Sequence, residues 1–265
     1  MSGALQLPLG IPFGSSPSFT ELVRHERPDA LPAVLTDPAF PVPHGTTVLG
    51  LKFDGGMLMA GDRRATAGNL IADAKMRKVF PADDYSAIAI AGVAGQAIEM
   101  VKLFQLELEH YEKITGDRLS LEGKANRLAQ MIRDNFPMAL QGFVVVPLFG
   151  GYDHRRNEGR IFYYDATGGR WEEDDYQATG SGSQPAKNSL KKRWKTGLSR
   201  DDALRVAAEA LIDAAEDDSA TGGPDAFRGI WPVMVIVTAE GATDVAETDV
   251  AAAVESVLAT RGGNT

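Results

Sequence analysis

The stretch Gly45-Thr46-Thr47-Val48-Leu49-Gly50-Leu51-Lys52-Phe53-Asp54-Gly55-Gly56-Met57-Leu58-Met59-Ala60-Gly61-Asp62 decides how the chain is read. Thr47 to Phe53 is β-branched and apolar, Asp54-Gly55-Gly56 has turn chemistry, and Met57 to Ala60 continues as a second extended run. Asp-Gly between two such runs is a strong local hairpin signal, because its residues accept the positive φ that a tight turn demands. An antiparallel hairpin therefore opens the folded part of the chain.

Upstream the composition is different. Residues 1–45 hold Pro8, Pro12, Pro17, Pro28, Pro32, Pro38, Pro41 and Pro43 out of 14 prolines in the chain. Proline at this density removes backbone donors and resists both helix and sheet. Only Ser18 to His25 has amphipathic helical spacing, with Ser18 as a possible N-cap. The sequence predicts an extended leader over 1–45 and one folded domain over 46–265.

Downstream, a second hairpin-like passage is expected over Asn69–Ala72 and Lys78–Phe80, and a further strand over Ser86–Ala91. Ala97, Met100, Val101, Phe104, Leu108 and Tyr111 recur at helical spacing, as do Leu121, Ala125, Leu128, Ile132 and Phe136 behind a capping Ser120. Strands are expected at Gly142–Tyr152, Gly159–Asp165 and Tyr176–Thr179, with Pro147 at an edge or a bulge. A helix over about 201–216, a strand over Trp231–Thr238 and a helix carrying Val250, Ala253, Val254, Val257 and Leu258 complete the order. Hairpin-joined strands with segregated helices point to α+β, and two stacked antiparallel sheets between helical layers use every apolar face. The expected architecture is a four-layer αββα sandwich.

Composition narrows the function classes. The chain has 265 residues, no cysteine and a net charge of −9, so disulfides and thiolate metal sites are excluded. An acidic chain without a dense basic stripe is a poor partner for nucleic acid or anionic membrane. Lys191, Lys192, Arg193 and Lys195 around Trp194 read as the solvated end of a helix. There is no apolar run of about 18 residues and no secretory signal pattern, so a cytoplasmic location is expected.

Familiar catalytic motifs are missing. His25, His44, His110 and His154 lack metal-ligand spacing, and there is no G-x-S-x-G, so neither metal nor cofactor is expected. Gly180-Ser181-Gly182-Ser183 lacks the Gly-Lys ending of a phosphate loop and reads as a turn before a helix. What remains is Gly45-Thr46-Thr47. A threonine hydroxyl needs a base, and an N-terminal residue carries one in its own α-amine. Gly45 offers an unhindered carbonyl to attack.

Taken singly, each candidate has a plainer reading. Asp62 and Arg64 suit a surface ion pair, Lys78 suits an edge lysine that discourages aggregation, and Asp218 suits a helix end. Taken together, over essentially all of 46–265, the motifs resemble the β subunits of the proteasome core particle. Gly45-Thr46-Thr47-Val48-Leu49-Gly50 is similar to that family's processing site and first strand. Gly61-Asp62-Arg63-Arg64-Ala65-Thr66 resembles its D-x-R-x-T segment, and Lys78 stands where the family has its active-site lysine. Ala91-Gly92 resembles the strand end that supplies an oxyanion-binding amide. Gly180-Ser181-Gly182-Ser183 and Asp218-Ser219-Ala220-Thr221-Gly222-Gly223 resemble two later motifs, with Thr221 where serine is more common.

The resemblance implies an N-terminal nucleophile hydrolase fold and a threonine endopeptidase. In that reading Thr46 attacks, its α-amine takes the proton, Lys78 supports the alkoxide and Asp62 keeps Lys78 charged. Asp218, Ser181 and Thr221 orient the new N-terminus, and the Gly92 N–H binds the oxyanion. It also implies that Thr66, Ala65, Met76, Phe80, Ile90, Ala94 and Ile98 bind substrate, the last six as an apolar pocket favouring cleavage after large hydrophobic residues.

The leader motifs Gly14-Ser15-Ser16 and Ser18-Phe19-Thr20-Glu21 are similar to those of actinobacterial members. By that resemblance the leader is removed by self-cleavage at Gly45–Thr46, and seven-membered β rings pair with α-subunit rings in a stack of four. An ATPase unfoldase would act through the α rings on proteins marked by a small modifier protein. Two rivals stay open: a two-ring threonine protease relative, and a non-catalytic scaffold subunit of the α type.

Overall fold

The structure, a computed structural model, describes residues 45–262. The short helix expected over Ser18–His25 lies outside them. The strands run in chain order as β1 (Thr47–Phe53), β2 (Gly56–Gly61), β3 (Ala65–Ala67), β4 (Leu70–Asp73), β5 (Val79–Asp83) and β6 (Ser86–Gly92). Two helices follow, α1 (Ala94–Thr115) and α2 (Leu121–Asp134), then a single turn, α3 (Phe136–Ala139). β7 (Val145–Asp153), β8 (Glu158–Tyr164), β9 (Arg170–Glu173) and β10 (Tyr176–Gly180) lead into α4 (Ser183–Arg193) and α5 (Arg200–Asp217). β11 (Val233–Thr238), β12 (Gly241–Asp244) and α6 (Glu247–Gly262) close the order.

The opening hairpin forms as expected, β1 on β2 from Val48↔Gly61 to Phe53↔Gly56. It lies at the heart of a five-stranded antiparallel sheet ordered β10-β1-β2-β11-β12. A second five-stranded antiparallel sheet runs β5-β6-β7-β8-β9. Period-two alternation makes each central strand apolar on both faces. Val48, Met57, Met59, Val235 and Val237 face Val79, Ala87, Ala89, Leu148 and Ile161 of the other sheet. Their neighbours Leu49, Leu51, Leu58 and Ile236 pack on Leu204, Ala207, Leu211 and Val254 of α5 and α6. Ile88, Phe149 and Phe162 pack on Phe104, Leu108, Leu128 and Ile132 of α1 and α2. The three cores make the αββα sandwich.

Several elements differ from expectation. Leu70–Asp73 pairs with Ala65–Ala67 in a small ribbon, not with Lys78–Phe80; β5 pairs with β6 instead. Short apolar runs mark both as strands but carry no information about partners. Pro147 sits in a central strand opposite Ile90, and the β8 ladder starts only at Leu148↔Tyr163, so the proline needs no donor on that side. The strand expected from Gly142 begins at Val145, because α3 and its following turn occupy the residues before it. Ser120 caps α2 as expected, accepting from the Gly123 N–H. At the end of α4, Lys191, Lys192 and Lys195 are exposed, whereas Arg193 pairs with Glu209 and Asp213. No helix among the described residues is long and apolar enough to cross a membrane.

Candidate active site

Four chain segments converge where β1 begins. β1 pairs with β10 through Thr47↔Gly180, which places Ser181 beside Thr46. The β1–β2 ladder ends at Gly61, so Asp62 lies next to Thr47, and the Asp62 N–H donates to the Thr47 carbonyl at 3.1 Å. Lys78 immediately precedes β5, and its carbonyl accepts from the Ile90 N–H of β6. Asp218 caps the C-terminus of α5, with Thr221 in the turn beyond it.

Asp62 and Lys78 form a fully buried pair at 2.7 Å, both side chains 0% exposed. Lys78 is therefore no edge lysine, and Asp62 makes no surface pair with the Arg64 guanidinium. Asp62 accepts from the Thr47 N–H at 2.8 Å, the Arg64 N–H at 2.8 Å and the Gly222 N–H at 2.9 Å, besides Lys78. Four donors on one carboxylate offset the loss of water that burial imposes. Lys78 Nζ donates to Asp62, to the Arg64 carbonyl at 2.5 Å and to the Gly45 carbonyl at 3.2 Å. Three acceptors match the three N–H bonds of an ammonium. Burial pushes the Lys78 pKa below the usual lysine range, and Asp62 and, more weakly, Asp218 only partly restore it. The expectation that Asp62 keeps Lys78 charged thus meets an opposing force: the proton is held, but less firmly than on a free lysine.

The second carboxylate organises the other side. Asp218 accepts from the Ser181 hydroxyl at 2.5 Å, the Thr221 hydroxyl at 2.6 Å and the Ala220 N–H at 3.1 Å. Burial works to raise its pKa, but the two hydroxyls and the amide outweigh burial and hold the carboxyl below its ordinary range. Ser181 in turn accepts from the Thr46 N–H at 3.3 Å. In the intact chain that nitrogen is an amide.

Between the two carboxylates lies the Gly45–Thr46 bond. The Gly45 carbonyl accepts from the Thr46 hydroxyl at 2.5 Å and from Lys78 Nζ. Gly45 is wedged so tightly that a Cβ built there would stand 2.5 Å from Thr66 Oγ1, 2.7 Å from Ala220 Cβ and 2.9 Å from the Ala220 oxygen. Nothing but glycine fits without movement.

Of the expected substrate residues, four share one apolar core, and Thr66 Oγ1 lies against the Gly45 backbone. Ile90 is buried in the core under α1 and α2, and Met76, Phe80 and Ile98 pack half-buried against that core. Ala65 and Thr66 lie on β3, and Ala94 starts α1; both alanines are half-buried. Gly92 ends β6, two residues beyond Ile90, which bonds the Lys78 carbonyl. In the uncut chain the Gly45 carbonyl takes its bonds from Lys78 and Thr46, not from Gly92.

Contacts that motif reading did not assign are the Gly222 N–H and the Arg64 backbone, which complete the Asp62–Lys78 shell, and the Thr47 hydroxyl, 2.6 Å from Thr221 Oγ1. Their only signal was adjacency to residues already singled out. Among the described residues no cluster of three or more His, Asp or Glu is arranged to hold a metal ion.

Comparison with known proteins gives one answer. A family model described as "Proteasome subunit" matches residues 42–226. The chain is 52% identical over 260 residues to "Proteasome subunit beta" of Streptomyces griseus subsp. griseus, covering 97% of this chain and 92% of that protein. It is 49% identical over 267 residues to "Proteasome subunit beta" of Frankia casuarinae, covering 100% and 97% respectively.

Proposed function

Because the chain belongs to the proteasome subunit family, we propose that it is the precursor of a threonine-type β subunit that frees its own nucleophile, Thr46, by cutting after Gly45. The observation that carries this reading is the Gly45 carbonyl oxygen, held 2.5 Å from the Thr46 hydroxyl and 3.2 Å from Lys78 Nζ. Nucleophile, scissile carbonyl and a cation meet at one point.

In the first cut Thr46 Oγ adds to the Gly45 carbonyl carbon, the C–N bond breaks, and the acyl group moves to oxygen as an ester. Water then hydrolyses the ester, leaving a Gly45 carboxylate and a Thr46 amine. Before that cut no α-amine exists, so the hydroxyl proton needs another acceptor. Lys78 is the ionisable side chain bonded to the same carbonyl, and burial loosens its hold on its own proton, so the hydroxyl proton is assigned to Lys78. As an ammonium it stabilises the charge developing on oxygen. After the cut the α-amine joins it, oriented by Ser181 and Asp218, and serves as proton acceptor for peptide hydrolysis. Gly92 enters with incoming substrate, whose carbonyl replaces that of Gly45.

Ala65, Met76, Phe80, Ile90, Ala94 and Ile98 are all apolar, and Met76, Phe80, Ile90 and Ile98 share one core, which supports cleavage after large hydrophobic residues. Thr66 would hold the substrate backbone. Ring stacking with α subunits, an ATPase unfoldase, tagged substrates and a cytoplasmic setting belong to the same proposal. Replacing Thr46 tests it: Thr46→Ala should stay full-length and hydrolyse no peptide, and Thr46→Ser should keep measurable activity. A Thr46→Ala particle that still matures at Gly45 would overturn it.

A further inference from the structure

Thr47 is a fully buried polar residue at the start of β1. Its hydroxyl lies 2.6 Å from that of Thr221, which is itself 1% exposed. Each hydroxyl has one hydrogen to give. Thr221 spends its hydrogen on the Asp218 carboxylate at 2.6 Å, the stronger acceptor because it is charged. Thr47 must therefore donate to Thr221. The same logic fixes Ser181, which donates to Asp218 and accepts from Thr46. Every hydrogen in the chain then has a direction: Thr46 N–H to Ser181 and Thr47 O–H to Thr221 both end on Asp218.

Thr47 reaches the other carboxylate too, through its N–H, 2.8 Å from Asp62 Oδ1. That oxygen also holds Lys78 Nζ. One residue thus spans both charged centres from the position directly after the nucleophile. Gly182 closes the arrangement: a Cβ there would stand 2.3 Å from Thr47 Oγ1 and 2.7 Å from Thr221 Oγ1. The backbone is packed against the hydroxyl pair closely enough to fix its rotamers and leave little room for a bridging water.

We propose that Thr47 is a positioning residue for the threonine nucleophile, its N–H and hydroxyl fastening Thr46 between the Asp62–Lys78 pair and the Asp218 relay. The inference rests on Thr46 being the nucleophile and deepens that reading. Its physical content is directional. Without the Thr47 hydroxyl, Thr221 is a weaker donor to Asp218, so Asp218 holds the proton on the freed amine more firmly. That nitrogen meets Asp218 through Ser181, and the charged groups acting on the neighbouring Lys78 are Asp62, Asp218 and Arg64.

The test uses the assembled particle and compares Thr47→Val, which keeps the β-branch and loses the hydroxyl, with Thr47→Ser, which keeps the hydroxyl. One buried hydrogen bond lost at a positioning site corresponds to about a tenfold fall in kcat. Thr47→Val should show that fall with KM nearly unchanged, and the acid limb of its pH–rate profile should move to higher pH. Thr47→Ser should recover most of the rate. A Thr47→Val particle with the parent kcat and pH profile would overturn the inference, as would Thr47→Ser being equally impaired. If Thr47→Val does not assemble, Thr47→Cys, similar in size with a much weaker donor, carries the same expectations. Thr46→Ala run alongside separates the two levels: activity surviving there removes the threonine reading itself, whereas a dead Thr46→Ala beside an unaffected Thr47→Val removes only the role of Thr47.

Discussion

Gly45→Ala adds a single methyl group at the tightest point of the molecule. Its Cβ would stand 2.7 Å from Ala220 Cβ and 2.9 Å from the Ala220 oxygen. Neither atom is the end of a flexible side chain; only Thr66 Oγ1, at 2.5 Å, can rotate away. Carbon–carbon contacts rest at about 3.5–4.0 Å, so relief requires about 1 Å of backbone movement. That movement falls on the residue whose carbonyl touches both the Thr46 hydroxyl and Lys78. Misplacement of reacting groups by about 1 Å costs roughly 100-fold in rate, equivalent to about 2.7 kcal/mol of barrier. The rest of the fold has no reason to change. The assay is a time course of intact mass after assembly, following conversion of full-length chain to a chain beginning at Thr46. Gly45→Ala should assemble and mature about 100-fold more slowly than the parent. Maturation at the parental rate would refute the claim that the packing around Gly45 positions the reaction.

Other outcomes follow from the same contacts. Asp62→Asn leaves Lys78 buried without its counter-charge, which should cost about 3–5 kcal/mol, read from the urea midpoint of a Thr46→Ala precursor, and should abolish processing. Fluorogenic peptides ending in Leu or Tyr should be cleaved faster than those ending in Arg or Asp; the opposite order contradicts an apolar pocket. Arg160, 3% exposed, binds Asp153, Glu122 and Glu172, and all three carboxyls lie below their ordinary range. For Glu172 the Arg160 bond dominates; for Glu122 and Asp153 burial pulls upward, but the hydrogen bonds, including those from Arg160, prevail. Folded carboxyls with depressed pKa values stabilise above the unfolded values and lose that stabilisation as pH falls through the folded ones. Arg160→Met should therefore lower the urea midpoint clearly at neutral pH and much less near about pH 3.

Much of this was legible before any coordinates because the decisive signals are short. The β1–β2 hairpin is written in contiguous residues, and unbroken apolar runs marked β1, β2 and β6 as strands. Apolar stripes located α1 and α2, although Phe136, expected on the second stripe, lies beyond its end in α3. Partnership was not legible: β4 is a short apolar run, exposed along its whole length, and nothing within it says that it turns back on β3 and not on β5. Pro147 was assigned to an edge or bulge on the correct ground that it cannot donate, but the shortness of the β8 ladder meets that need inside a central strand. At the site, the residues with side-chain chemistry were readable as motifs in order. The Gly222 N–H and the Arg64 carbonyl were not, because backbone groups carry no residue-type signature. The Thr47–Thr221 bond joins positions 174 apart in sequence, and only folding brings them together.

The central claim is that Thr46 becomes the N-terminal residue by the chain's own chemistry. The most direct measurement is the intact mass and N-terminal sequence of the purified subunit after assembly, with Lys78→Ala prepared in parallel. The account expects a parent chain beginning at Thr46 and a Lys78→Ala chain that retains residues 1–45. A proteolytically active particle whose chains still carry the Gly45–Thr46 bond would contradict it.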